Sequence, residues 1–459
     1  MNSAYLYKYG RNWMLILYAL MRIFDSFVPS MPVKYACAAI LVTITILTLP
    51  SMKRSAQIVF FVLALAGSAL LIVAKADFDT WIKALLKNGD LLLLFICVPM
   101  IAGPFYYEDY QSELKHLAEK RMQNMMGFLV LVAILSHFLG VILSVGAIII
   151  IYELLSPFGK LYNADGPFLK TMHRGYCSAG FWSPAWASVI VYSAFPDVKW
   201  VRMIPLGILL GALFNLLSLG SLYIEAKRHP GRYPDIRPST DVKVDKRKLI
   251  VMLVLMVTMI LSIVIVYTAT KWSLMLSVTV VSLLFPIAAA LIQGHLPEYG
   301  REMKKYYNVQ LPKVNSQIAV FMMAGFLGYA LSVSGAGNLL VSLLPNWLIA
   351  YPPLMIAAIM MLVTVPTFVG VHPAATGTAL VASIAPAAVG LTNYTFSLAI
   401  LTGWLLATMM GPFSAVSLLL SSYTGKNNYA LSIGSNWKFC LLCLVVFSLL
   451  ISVVGPLMG

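Results

Sequence analysis

The chain has 459 residues, 60% hydrophobic and 11% charged, with a mean hydropathy of +0.86. It has too little polar surface to cover itself in water, so its solvent is lipid and a water-soluble domain is excluded. The net charge of +15 then reads as the cationic bias of cytoplasmic loops, with no nucleic-acid partner expected.

In chain order, apolar runs predict about twelve transmembrane helices, at 34–50, 57–75, 85–103, 126–156, 161–196, 204–224, 249–268, 274–293, 317–343, 350–389, 395–421 and 438–457. The N-terminus carries no cleavable-signal pattern, so the spans themselves are expected to direct insertion into the cell (inner) membrane. With the N-terminus inside, 22 of the 32 Lys and Arg fall in inside segments. The predicted fold is an all-α polytopic membrane protein. Cys440-x-x-Cys443 lies in an apolar span with no second pair, so an inert role is expected and no metal site.

The two halves repeat one another. Phe138-Leu139-Gly140 aligns with Phe326-Leu327-Gly328 at an offset of 188 residues. Asp109-Tyr110 pairs with Glu298-Tyr299, and Ser183-Pro184-Ala185 with His372-Pro373-Ala374, both at 189. The expected organisation is an N-terminal segment and first span (1–56), repeat one (57–224), a linker (225–248) rich in Pro and Lys/Arg, repeat two (249–425) and a C-terminal span (426–459). Stretches 104–124 and 294–316 are amphipathic, with Tyr110, Leu114 and Leu117 on one face and Tyr299, Met303 and Tyr306 on the other stretch's equivalent. They fall on opposite sides by span count, which makes the repeats inverted and the two stretches interfacial helices.

Each half has one segment combining a helix breaker, small residues and hydroxyls: Gly180 to Ser188, with Trp182, Ser183, Pro184 and Ser188, and Gly370 to Thr378, with His372, Pro373, Thr376 and Thr378. A helix broken at membrane depth leaves backbone groups unpaired, and a substrate or ion can supply the partners. The plainer reading is a proline kink whose hydroxyls bond back to their own helix. Arg174, with His173 or Lys170, is a candidate cation for an anionic substrate, because a guanidinium fork fits a carboxylate. His372 is a candidate for substrate contact or proton carriage, and His137 a weaker one. Ser144, Ser332, Ser334 and Asn338, at the ends of hairpin-like tracts, are candidates for ion coupling. Gly403, Gly411, Pro412, Ser414 and Ser417 are expected to serve helix packing, as are Gly207 and Gly211.

On these residues the chain resembles the ion transporter superfamily, which includes divalent anion and citrate carriers and the large membrane subunit of TRAP transporters. The resemblance covers about residues 50–425 and implies interfacial helices that act as arms joining a scaffold to a moving, substrate-binding domain. Gly370-Val371-His372-Pro373 looks more like the TRAP subunit, and the Ser-Asn-Thr motifs of the symporters are missing. The function expected is a secondary carrier of a small, organic anion driven by a Na+ or H+ gradient, with no cofactor beyond that ion and a homodimer as an allowed assembly. Two other readings are a TRAP-type membrane subunit that needs a separate binding protein, and a membrane-embedded enzyme or lipid-handling protein using His137, His173 and His372. No phosphate-binding loop, H-E-x-x-H or G-x-S-x-G occurs, so a non-enzymatic protein is expected.

Overall fold

The computed structural model describes residues 3–52, 54–121, 124–193, 195, 197–229, 231, 233–234, 244–336 and 341–458. Their regular structure is all helix, with no strand among them. Residues 230, 232 and 235–243 of the linker and the candidate Asn338 lie outside the described residues.

The first half runs α1 (Ser3–Phe27), α2 (Met31–Thr48), α3 (Arg54–Val73), α4 (Phe78–Leu86) and α5 (Gly89–Cys97), which continues as a 3-10 stretch to Tyr106. Then follow α6 (Tyr110–Arg121), α7 (Met125–Leu143), α8 (Gly146–Leu161), α9 (Asp165–Ala179), α10 (Ala187–Tyr192) and α11 (Trp200–Lys227). The second half runs α12 (Lys246–Thr270), α13 (Leu274–Gln293), α14 (Leu296–Lys305), α15 (Asn315–Val333), α16 (Pro352–Thr364), α17 (Pro373–Ser383), α18 (Asn393–Met410), α19 (Ala415–Thr424) and α20 (Ser435–Met458). In each half a short amphipathic helix (α6, α14) precedes a long apolar one (α7, α15), and a helix interrupted by a non-helical segment follows (α9 and α10, α16 and α17).

Of the twelve spans predicted, ten correspond to helices among the described residues that are long and apolar enough to cross a membrane. The two that differ have a local cause. Stretch 161–196 divides into α9 and the six-residue α10 because Pro184 removes an N–H from the middle. Within stretch 317–343 the helix α15 ends at Val333, since the chain leaves it at Ser334-Gly335, where Gly335 has φ +71°. Stretch 126–156 is likewise two helices, α7 and α8, packed as a hairpin. The segment before the first predicted span folds as α1, packed on α2 and α5, and Arg22 bridges Asp25 in α1 and Asp90 in α5.

Helix starts follow side-chain chemistry. Asn124, Ser273 and Thr392 each accept a backbone N–H at the first turns of α7, α13 and α18. Apolar faces remain outermost, with Leu65 of α3, Ile265 of α12 and Val453 of α20 more than 60% exposed, the pattern of helices whose surroundings are lipid. Inside, small residues let helices touch, as expected for Gly207, Gly211 and Gly403. A Cβ on Gly403 of α18 would stand 2.9 Å from both Cα and O of Met360 in α16. One on Gly207 of α11 would stand 2.6 Å from the Phe181 carbonyl.

Polar contacts bind the halves. Asn88, between α4 and α5, donates to Phe321 O at 2.9 Å and Thr378 Oγ1 at 3.2 Å. Tyr306, after α14, donates to Ile96 O. Glu113 of α6 accepts the Asp245 N–H at 2.7 Å, fastening the first amphipathic helix to the start of α12.

Because the atoms facing Gly403 are backbone and cannot swing aside, Gly403→Val is expected to lower stability by about 1–3 kcal/mol, seen as a lower melting temperature in detergent. Gly300→Ala, where a Cβ meets nothing within 4 Å, is the control and should leave melting unchanged or slightly raised.

Candidate functional site

The first break begins where α9 runs out. Pro184 has no N–H, so the Gly180 carbonyl lacks its helical donor, and Ser188 Oγ serves it at 3.3 Å. The segment is pinned on α7: Ser183 Oγ donates to Val141 O at 2.8 Å and Trp186 Nε1 to Gly140 O at 3.0 Å. Gly140 and Val141 are among the last four residues of α7, whose carbonyls have no partner within the helix. Ser183 and Trp186 therefore cap α7, and the tip of the α7–α8 hairpin and the first break form one unit. At that tip Ser144 has φ +49° and ψ −131°, a conformation rare for a residue with a Cβ and costing about 1–3 kcal/mol.

The second break forms differently. Gly370, with φ +96°, ends the 3-10 stretch after α16, and the Val371 N–H returns to Pro366 O at 3.1 Å. His372 is extended and precedes Pro373 at the first position of α17. Its Nδ1 accepts the Ala374 N–H at 3.2 Å, which leaves Nε2 to carry the proton of the neutral ring. The ring lies 4.8 Å from Phe321 and 6.0 Å from Trp404, centroid to centroid.

A third break lies at Gly411–Ser414, between α18 and α19. Pro412 has no N–H to return to the Thr408 carbonyl, and Ser414 caps α19 by accepting the Ser417 N–H.

The three breaks and the hairpin tip enclose a single cavity of about 520 Å³. Its lining includes Ser144 to Gly146, Ala185 to Ala187, Gly370 to Pro373 and, from the third break, Gly411 and Phe413 to Val416. Tyr106 and Gln310, at the ends of the stretches flanking the amphipathic helices, also reach it, as do Thr367 and Thr408. Three helices of eight residues or more, α8, α17 and α19, begin on its wall, so the positive ends of three helix dipoles converge there. Among the described residues, none of its lining is Asp, Glu, Lys or Arg.

Of the sequence candidates, His372 and Ser144 line this cavity. The other described candidates lie behind or away from it. Trp182 Nε1 donates to His137 Nε2 at 3.1 Å, so His137 carries its proton on Nδ1 and donates to Ser178 Oγ at 2.7 Å. Ser178 in turn donates to Gly175 O and accepts from Asn215 Nδ2. His137 thus has both ring nitrogens engaged, as a neutral imidazole, in a network at the back of the first break. Thr376 and Thr378 bond back to Pro373 and Ala374 carbonyls in α17, the kinked-helix pattern. Ser332 lines a separate space of about 340 Å³ with Gly335 and residues 381–386, and Ser334 closes a local turn with Leu331 and Ala336.

Arg174 does not line the cavity. Buried in α9, it donates to Asn436 Oδ1 at 3.0 Å, Ser221 Oγ at 3.2 Å and Ser435 O at 3.2 Å, and stacks on the Phe439 ring at 4.2 Å. These partners come from α11 and α20, so the guanidinium ties three helices together. Lys170 pairs with Glu225 at 3.0 Å. His173, 1% exposed, lies against the Thr408 backbone. The third break departs from its expected role: Gly411 and Ser414 line the cavity and do not serve packing alone. Its signal in the sequence is Gly411-Pro412 followed by Ser414, the same breaker-plus-hydroxyl composition as the other two.

No family model matches the sequence, and no curated protein matches it. The fold does have a solved counterpart. It is similar to the crystal structure of the Alcanivorax borkumensis YdaH transporter, with a TM-score of 0.50 and 13% identity over 91% of this chain and 97% of that one. The chain is therefore a multi-pass helical membrane protein with a fold also found in a transporter.

Arg174→Met would leave the acceptors on Asn436 and Ser435 buried without a donor, at a cost of about 2 kcal/mol or more. The expected outcome is a lower melting temperature in detergent, with Arg174→Lys intermediate because an ammonium keeps the charge but not the fork. Ligand affinity of the surviving folded protein should be unchanged.

Proposed function

We propose that the protein is a secondary transporter of a small, organic anion, with the cavity between the breaks as its binding site. The observation that supports this is the convergence of interruptions from both halves on one cavity, where three helix N-termini and uncharged polar groups meet. Groups left free at such interruptions bind a solute and release it without large reorganisation. The positive helix ends favour an anion, and the carbonyl ends of α7 and α18 beside them favour a cation, Na+ or H+, as the coupling ion. Residues 57–224 and 249–425 act as inverted repeats. α6 and α14 are the arms against which the cavity-bearing part moves, in an elevator type of alternating access, as the superfamily resemblance implies. The site of action is the inner cell membrane, either as a monomer or a homodimer. The enzyme reading needs His137, His173 and His372 in one place, and of these only His372 lines the cavity.

Purified protein in liposomes, given mono-, di- and tricarboxylates and phosphate under separate Na+ and H+ gradients, should accumulate at least one anion above protein-free vesicles. Failure with every anion under both gradients would overturn the proposal. His372→Asn separates capping from substrate contact, since the shorter amide can cap the Ala374 N–H but cannot reach as far as Nε2. Its uptake should fall about tenfold or more, the worth of one hydrogen bond to a charged group, with melting unchanged. Wild-type uptake by this variant would remove His372 from the binding site.

A further inference from the structure

We infer that the substrate is a monovalent anion with a compact apolar or aromatic body, and not a di- or tricarboxylate. The inference rests on the proposed transport reading and narrows it. Much of the lining is hydrocarbon, including Leu94, Val98, Ala102 and Ile149, together with the rings of Phe95, Tyr176, Trp186 and Trp404. A volume of about 520 Å³ lies within the range of cavities that bury most of a small organic ligand.

Charge is the discriminating term. The buried cation nearest the first break in sequence, Arg174, has its donors directed at Asn436, Ser221 and Ser435 O, and Lys170 is paired with Glu225. The positive potential of the cavity therefore comes from helix ends, each equivalent to about half a unit charge. The donors are uncharged throughout, among them Gln310, Tyr106 and the start of α8. Pro373 has no N–H and the Ala374 N–H is taken by His372, so α17 offers the ring's Nε2–H, while α19 begins at Ala415-Val416 on the same wall. One carboxylate can be satisfied there. A second would meet only uncharged groups such as Gln310 and Thr408, with no Lys or Arg among the described lining residues, and a buried carboxylate without a cation is disfavoured. The rings instead favour an apolar body.

Uptake in liposomes, under whichever gradient drives it, is compared for benzoate, cyclohexanecarboxylate, acetate, terephthalate and succinate. Benzoate or cyclohexanecarboxylate should be preferred over terephthalate and over acetate by at least tenfold in kcat/KM. Transport of terephthalate or succinate as well as benzoate would overturn the inference and leave anion transport standing. Acetate carried as well as benzoate would overturn the apolar body. Transport of none of the wider anion panel would fail the underlying reading instead. Phe413→Arg supplies the missing charge: Phe413 lines the cavity and is 38% exposed, so the fold should tolerate it. This variant should move the ratio toward terephthalate by at least fivefold, while Phe413→Leu should not. An unchanged ratio in well-folded Phe413→Arg would count against charge as the discriminating term.

Discussion

Inside a chain surrounded by lipid, every peptide group must find a partner within the protein, and each departure from helix creates groups that have lost theirs. The structure is organised by how those groups are served. At the first break Ser188 serves the carbonyl freed by Pro184, and Ser183 and Trp186 serve the carbonyls at the end of α7. At the second, His372 caps the helix that Pro373 begins. Three interruptions are tolerable because they are gathered around one cavity, where side chains from several helices share the work. Dispersed along a lipid face, the same prolines would each leave a carbonyl unpaired.

Behind the breaks lies a shell of polar contacts that holds them in register without reaching the cavity. His137, Trp182, Ser178 and Asn215 are linked in one hydrogen-bonded chain, and Arg174 joins α9 to α11 and α20. The cavity itself is left with weaker, more exchangeable groups: hydroxyls, one imidazole N–H and helix ends. A permanent buried charge there would hold an oppositely charged ligand tightly, whereas dipoles allow release. The strong contacts sit where rigidity is useful and the weak ones where turnover is.

Much of this could be read from the chain. Composition settles the membrane class, and apolar run length places ten of the spans. Proline with nearby Gly and Ser marks the first two breaks because the backbone chemistry is local. The third break is less legible, since Gly411-Pro412 sits in an apolar run beside glycines that do pack, and composition alone does not separate Gly411 from Gly403. Arg174 shows the opposite limit. A cation at membrane depth signals a need for partners, but Asn436 and Ser221 are distant in sequence, and only the fold reveals that they meet it. Asn88, buried and shared between α15 and α17, carries no sequence pattern at all.

Asn88 also bears on how the chain is made. Its two partners, Phe321 and Thr378, lie 233 and 290 residues further on, and the N–H that Glu113 accepts lies 132 residues on. Asn12 donates across 295 residues to Tyr307 O. During synthesis the early helices must wait in the bilayer with these groups unmatched until the ribosome delivers the second half. The first half is thus a provisional assembly, hydrated or loosely paired at its future seams, and the final packing of α1, α4 and α6 is among the last steps of biogenesis.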